Sequence, residues 1–380
     1  MALLGINNAS VYPYQSLIAI ERIGLSEQAF SLLLVFASGV AVTASVLSGV
    51  ISDHHGHRRL IALATCLAST AGIAMILIDP GPVTFWIGQG VLLPLGSSIY
   101  GQLFTLARLT NPDEGRSRDM GLGAIRSFLS IGFLAALMFW TFAFSTGAAE
   151  MSVYLTGGLA STLMSLAVLF SWPKDRPTAI GSLSSLGQSF RNIAHLHILS
   201  RLLFVGALAV SGAVYFVLTS LIFEASPLRG PGDVALYIGM VAGWEVPFML
   251  FLPRYIQRIK RSTAMAIAAL FYAANLALLP VLCDTPLIWA LPVLAGGGGA
   301  VILMLPIAYY QDLVAGRPGT AAALLAMQKL VVDVLAAVIF AVGSALGGYQ
   351  TVALIGVSVA LSGALCLYLA DRRHWFAVRA

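Results

Sequence analysis

Long apolar runs alternate with short polar breaks along the whole chain. The runs fall near 3–21, 28–51, 60–78, 83–107, 120–144, 151–171, 198–222, 234–253, 263–283, 286–309, 320–346 and 349–370. About 20 apolar residues in a helix cross a bilayer core of roughly 30 Å, so each run predicts one transmembrane helix. A helix satisfies all its backbone N–H and C=O groups internally, which lipid demands. The pattern predicts an all-α integral membrane protein with twelve transmembrane helices. The first run is the most polar, with Asn7, Asn8 and Gln15 inside it and Glu21-Arg22 at its end. Either that helix begins inside the membrane or the start of the protein lies upstream. No basic flank precedes its apolar core, so it does not read as a cleavable signal.

Composition agrees with this reading: 59% of the 380 residues are hydrophobic and 10% charged, against about a quarter charged in a soluble domain. The placement of the charges says more. Sixteen Lys and Arg side chains, among them Arg58-Arg59, Lys260-Arg261 and Arg372-Arg373, fall in loops on one side, and only Arg22 and Arg229 on the other. Short cytoplasmic loops carry the excess of Lys and Arg, so both termini are expected in the cytoplasm. The net charge of +5 then reflects topology and contact with anionic inner-leaflet lipid; no nucleic-acid partner is expected. Cys66, Cys283 and Cys366 lie inside spans without metal-ligand spacing and read as small buried hydrophobes. His54, His55 and His57 beside Asp53 read as part of a basic loop, and no metal site is expected.

The stretch 173–197 is the longest polar interval and reads as a cytoplasmic linker between two halves, 1–172 and 198–380. The halves echo each other. Gln102-Leu-Phe-Thr-Leu-Ala-Arg108 closes span four and Gln311-Asp-Leu-Val-Ala-Gly-Arg317 closes span ten, 209 positions on; the loop ending Arg58-Arg59 matches the one ending Lys260-Arg261, 202 positions on. A shared spacing near 200 points to two pseudo-symmetric six-helix bundles built by parallel duplication.

The loop after span two is the most specific motif: Gly49-Val-Ile-Ser-Asp53-His-His-Gly56-His-Arg58-Arg59. Gly49 permits close helix approach and Gly56 a tight turn. Asp53 is suited to the positive N-terminus of a neighbouring helix, expected to be span eleven near Thr320. The run resembles the Gly-x-x-x-Asp-x-x-Gly-x-Arg-Arg signature of the major facilitator superfamily, where it acts in gating. Further stretches resemble the bacterial sugar efflux transporters. These are Tyr12-Pro13-Tyr-Gln-Ser-Leu17, Gly96-Ser-Ser-Ile-Tyr-Gly-Gln102, Arg126 early in span five, Gly239-Met-Val-Ala-Gly-Trp-Glu245-Val-Pro247 and Tyr310-Gln311-Asp312-Leu-Val-Ala-Gly-Arg317. The resemblance implies a monomeric secondary transporter of the bacterial cytoplasmic membrane that moves a sugar or glycoside outward in exchange for protons. Span five carries Leu134-Ala-Ala-Leu-Met138 where that family has a Gly-Pro-Pro element associated with exporters. Export of drugs or other metabolites, and import, therefore stay open.

Four ionisable residues stand out within the spans: Arg126, Glu245, Lys329 and Asp333. A charge at the bilayer centre costs at least ~2.5–3.5 kcal/mol on insertion scales, so such residues are functional or paired. Arg126 and Glu245 lie at matching depths on spans five and eight and are expected to pair, with Glu245 as the candidate carrier of a coupling proton. Lys329 and Asp333 are four apart on one helix face and are expected to pair with each other. The expected cavity helices offer Asn8, Tyr12, Gln15, Gln102, Tyr215, Gln311 and Asp312 for substrate, with Gln89, Tyr100 and Tyr309 nearby. This amide and hydroxyl supply suits a polyol. Gly296-Gly-Gly-Gly299 reads as a point where span ten bends. No nucleotide-binding domain or cofactor site is evident, so a proton gradient is the expected energy source. A membrane enzyme would need a nucleophile or metal cluster at one depth, and a non-transporting sensor an added soluble domain; neither pattern appears.

Overall fold

The computed structural model describes residues 1–55, 57–110, 116–172, 196–252, 259–314 and 318–377. Among the described residues, helices run through each of the predicted ranges. Helix α1 is assembled from Ala2–Val11, a 3₁₀ turn at Tyr12–Tyr14, Gln15–Leu17 and a π segment at Ile18–Arg22. The irregularity centres on Pro13, which lacks the N–H an α-helix needs. Next come α2 (Glu27–His55), α3 (Arg58–Ile78) and α4, which runs through Pro82–Ile87, a π segment at Gly88–Leu92, Leu93–Ser97 and Ile99–Thr110. The series continues with α5 (Arg116–Ser145), α6 (Ser152–Ser171), α7 (Leu196–Glu224), α8 (Pro231–Phe251), α9 (Arg261–Leu282) and α10 (Leu291–Leu313, led in by a 3₁₀ turn at Pro286–Ala290). Helices α11 and α12 are the two arms of one helical element, Pro318–Ala377, broken at Gly347–Gly348. Gly348 has φ +73°, a left-handed backbone that a Cβ disfavours.

Among the described residues, nine helical stretches are long and apolar enough to cross a membrane. One of these, at 324–372, is 49 residues long, more than twice what a single crossing needs. Helices α1 and α4 fall below that length only because 3₁₀ and π turns divide them. Large apolar side chains point outward, including Ile78, Met138 and Phe170, each about three-quarters or more exposed. Water would not tolerate so much of that surface; lipid does. Cys366 belongs to this outer face, which corrects the expectation that all three cysteines are buried. A helix in lipid has no polar side to betray its outer face.

The chain divides into two compact units, Met1–Gly181 with Pro231–Leu236, and Ser182–Gly230 with Tyr237–Ala380. Each unit is closed by small residues that let helices approach. In the first unit α1 and α5 cross at Gly5 and Gly132, where an added Cβ would overlap the carbonyls of Leu129 and Ala2. The second unit repeats its contacts with a spacing near 200. Gly206 of α7 meets Val331 of α11; Gly157 lies against Val11 and Ile73, and Gly356 against Val214 and Leu276; Gly96 lies against Thr65 and Ser69, and Gly298 against Ala268 and Tyr272. These matched contacts support the duplication but correct one of its supposed echoes. Gln102 and Gln311 are 209 apart, against 202 for Gly96 and Gly298 on the same two helices. The slip of seven residues is two helical turns, which keeps the face and loses the level.

Basic residues at the start of α3 and of α9 do comparable work. Arg59 donates to the carbonyl of Leu169 near the end of α6, and Arg261 donates to the carbonyl of Ala308 and pairs with Asp312 near the end of α10. A cation at a helix C-terminus meets unsatisfied carbonyls and the negative end of the helix dipole.

Candidate functional site

In the first unit a small crevice opens between α1, α3, α4 and α6, where Asn7, Asn8, Tyr12, Ser69 and Ser97 share the lining with Leu4, Cys66, Leu93, Ile99 and Met164. Asn7 is buried and tied down: its amide donates to the carbonyl of Gly157 at 2.9 Å and to the hydroxyl of Ser161 at 2.8 Å. Ser161 in turn lies 3.2 Å from the hydroxyl of Ser69. This network joins three helices and forms one wall. Asn8 and Tyr12, one helical turn apart, present themselves to the crevice from α1, and both are more exposed than Asn7. The 3₁₀ turn that starts at Tyr12 follows from Pro13. Trp140 of α5 donates to Ser10 at 3.0 Å, fixing the opposite side of α1. Asn7 is the residue that sequence reasoning passed over. Its signal was present, an amide in an apolar run, but its direction on the helix was not.

Gln15 is buried on α1, and Gln102 is buried on α4, where it donates to the carbonyl of Ser48 at 3.3 Å. Gln89 of α4 donates to Tyr154 of α6. Gln102 and Gln89 thus brace helices. Gly49, Asp53, Gly56, Arg126 and Thr320 lie outside the described residues and side chains, so the expected Arg126–Glu245 and Asp53–Thr320 contacts are not described here. Arg58 is buried at the start of α3.

In the second unit Glu245 is half-buried on α8, facing α10. Helix α10 comes close because it carries glycines. A Cβ on Gly296 would lie 2.5 Å from Trp244 Cβ and 3.1 Å from Glu245 N, and one on Gly299 would overlap Glu245 Oε1 and lie 3.2 Å from Tyr272 Cε2. The tetrad expected to permit span ten to bend is also a docking surface for α8 and α9 within an unbroken helix. Tyr272 belongs to a buried group with Tyr215 of α7 and Tyr237 of α8; ring centroids are 5.7 Å apart for Tyr215–Tyr272 and 6.5 Å for Tyr215–Tyr237. The matched contacts place Tyr272 where the first unit has Ser69, and Tyr215 where it has Tyr12. Corresponding positions of the two units thus hold amides around a crevice in one and a carboxylate beside tyrosines in the other.

Several other charges among the described residues are paired. Lys329 donates to Asp333 at 2.6 Å along α11, as its spacing predicts. Gln311 and Asp312 are exposed at the end of α10, with Asp312 held by Arg261. An unexpected buried cluster sits where α7 meets α12 and α10: Arg201 donates to Asp371 at 3.1 Å and to the carbonyls of His197 and Ala370, and Tyr309 donates to Asp371 at 3.2 Å. Arg22 and Glu150 form an ion pair in the first unit.

A multi-pass helical bundle that keeps amides and a carboxylate inside its apolar helices is built to pass polar solutes through lipid, and defines a membrane transporter rather than an enzyme. The chain belongs to the Major Facilitator Superfamily, whose family model matches residues 1–337. Its relatives include sugar efflux transporter A of Dickeya chrysanthemi, 25% identical over 88% of this chain and 85% of that protein. Another is a putative sugar efflux transporter of Deinococcus radiodurans, 24% identical over 98% of this chain and 96% of that protein. Among solved structures it resembles the nucleoside transporter NupG, with a TM-score of 0.83, 15% identity and 97% of each chain covered; at that identity the likeness speaks for the fold alone.

Proposed function

We propose that this protein moves a sugar or glycoside out across the bacterial cytoplasmic membrane by alternating access, in exchange for protons, as a monomer with both termini in the cytoplasm. The observation that carries the reading is what each unit of the duplicated fold keeps at corresponding positions. Asn8 and Tyr12 line a crevice supplied with amide and hydroxyl groups, and Glu245 offers the second unit an intramembrane carboxylate. Amides and hydroxyls match the alternating donors and acceptors of a polyol. A carboxylate retained at this depth is costly unless it performs work, and binding and releasing a proton is work it can perform. The relatives named for sugar efflux support the substrate class and the outward direction. Lipid contacts follow from the exposed apolar faces and the basic loops.

The test uses inside-out vesicles, in which outward pumping in the cell becomes uptake. A gradient acid inside should drive accumulation of a labelled methyl glucoside, and collapsing it should abolish the accumulation. Accumulation without a gradient dependence, or only in right-side-out vesicles, would overturn the coupling or the direction respectively.

A further inference from the structure

The interior of the second unit holds more polarity than packing requires. Tyr215, Tyr237 and Tyr272 are buried, and the hydroxyl of Tyr237 donates to Asn275 Oδ1 of α9 at 2.6 Å. Asn275 and Ser211 are fully buried, and among the described residues Asn275 Nδ2 and Ser211 Oγ meet no hydrogen-bond partner. Leaving one buried polar atom unsatisfied costs about 1–3 kcal/mol, so such atoms are rare unless they serve a purpose. Ser211 is one turn from Tyr215 on α7, and Asn275 nearly one turn from Tyr272 on α9. The Tyr237–Asn275 hydrogen bond and the Tyr215–Tyr237 and Tyr215–Tyr272 ring contacts join these groups across α7, α8 and α9 into one line, and two of them supply the partners a bridging water needs.

One end of the line is Glu245, whose carboxylate and the Tyr272 ring flank Gly299. Among the described side chains, the ionisable groups that face Glu245 from the packed elements are Tyr272 of α9 and Tyr215 of α7, while α10 presents glycine. The other end is Tyr237, two turns or ~12 Å earlier on α8. It lies toward the loops where Arg229 donates to the carbonyls of Cys283 and Thr285 at 2.9 Å each.

We infer that the hydroxyls of Tyr237, Tyr215 and Tyr272, joined by water held on Asn275 and Ser211, are the route by which a proton reaches Glu245 from the membrane face bearing Arg229. The inference rests on the reading of Glu245 as the proton carrier. Each hydroxyl or water oxygen takes a proton on a lone pair as it gives up its own, so none ionises; the Asn275 amide, which has no O–H to pass on, holds its neighbours in place. In net terms a hydronium at that face becomes water and the Glu245 carboxylate becomes a carboxylic acid. Ring packing alone would be met by phenylalanine; the route needs the hydroxyls.

The full-length protein in oriented proteoliposomes receives a pH jump on one face while infrared spectroscopy follows the carboxylic C=O stretch. The Glu245 band is assigned by its loss in Glu245→Gln. Tyr237→Phe and Tyr272→Phe, which keep the rings, should each slow the rise of that band about ten-fold for a jump on the Arg229 face and leave it unchanged for the other face. Ser211→Ala, a small change in a packed helix, is a further variant whose folding is secure and should slow it in the same direction. An unchanged rate in all three variants would overturn the route and leave Glu245 as carrier. Absence of any Glu245 band would overturn the carrier reading and the route with it.

Discussion

The carboxylate of Glu245 packs against the backbone of Gly299, in space that any side chain at 299 would occupy. Gly299→Ala should therefore displace Glu245 while leaving α10 helical, since alanine is favoured over glycine in a helix by about 1 kcal/mol. Proton-driven sugar accumulation should fall about ten-fold, ~1.4 kcal/mol in barrier terms. The control is Gly297→Ala, whose methyl would meet only the Phe248 ring at 3.4 Å or more; it should transport normally. Equal rates for the two variants would remove Gly299 from the positioning of Glu245.

Asn7 and Asn8 are adjacent in sequence and separate in role. Asn7→Leu removes two buried interhelical hydrogen bonds, each worth roughly 0.6 kcal/mol on average and up to ~1.7 in membrane proteins. The melting temperature of the detergent-solubilised protein should fall accordingly. Asn8→Ala should leave it unchanged and raise the half-saturating sugar concentration about ten-fold, measured by counterflow. Reversal of the two outcomes would exchange scaffold and site.

Arg201 and Asp371 form a buried pair with Tyr309. Breaking such a pair by removing one partner costs about 3–5 kcal/mol, while replacing both with apolar groups of similar size is often neutral or better. Arg201→Met should destabilise strongly in thermal unfolding, and Arg201→Met with Asp371→Leu should recover most of the loss. A double variant as weak as the single would show that the carbonyls of His197 and Ala370, rather than Asp371, account for the role of Arg201.

The helices were legible because apolar run length and basic loops are properties of a single segment. What escaped depended on which way a side chain faces or which distant residue it meets. Arg201 sits in the first turns of a span, where an arginine reads as an interfacial charge, and its partner Asp371 lies 170 positions away. The glycines at 296–299 read equally as flexibility or as close approach, and only the neighbouring α8 and α9 show the approach. The repeat was legible in spacing, yet the Gln102–Gln311 echo followed residue type rather than contact and slipped by two turns. Lys329–Asp333 was legible because its geometry is internal to one helix.

The most direct test compares Glu245→Gln with the unaltered protein in proteoliposomes, measuring gradient-driven accumulation and counterflow exchange of the same labelled sugar. Glutamine keeps the shape of the side chain and cannot carry a proton between the two faces. The expected result is loss of uphill accumulation with counterflow retained, the signature of a carrier that still binds and turns over but is no longer coupled. Uphill accumulation at the normal rate by Glu245→Gln would contradict the assignment of the coupling proton to Glu245.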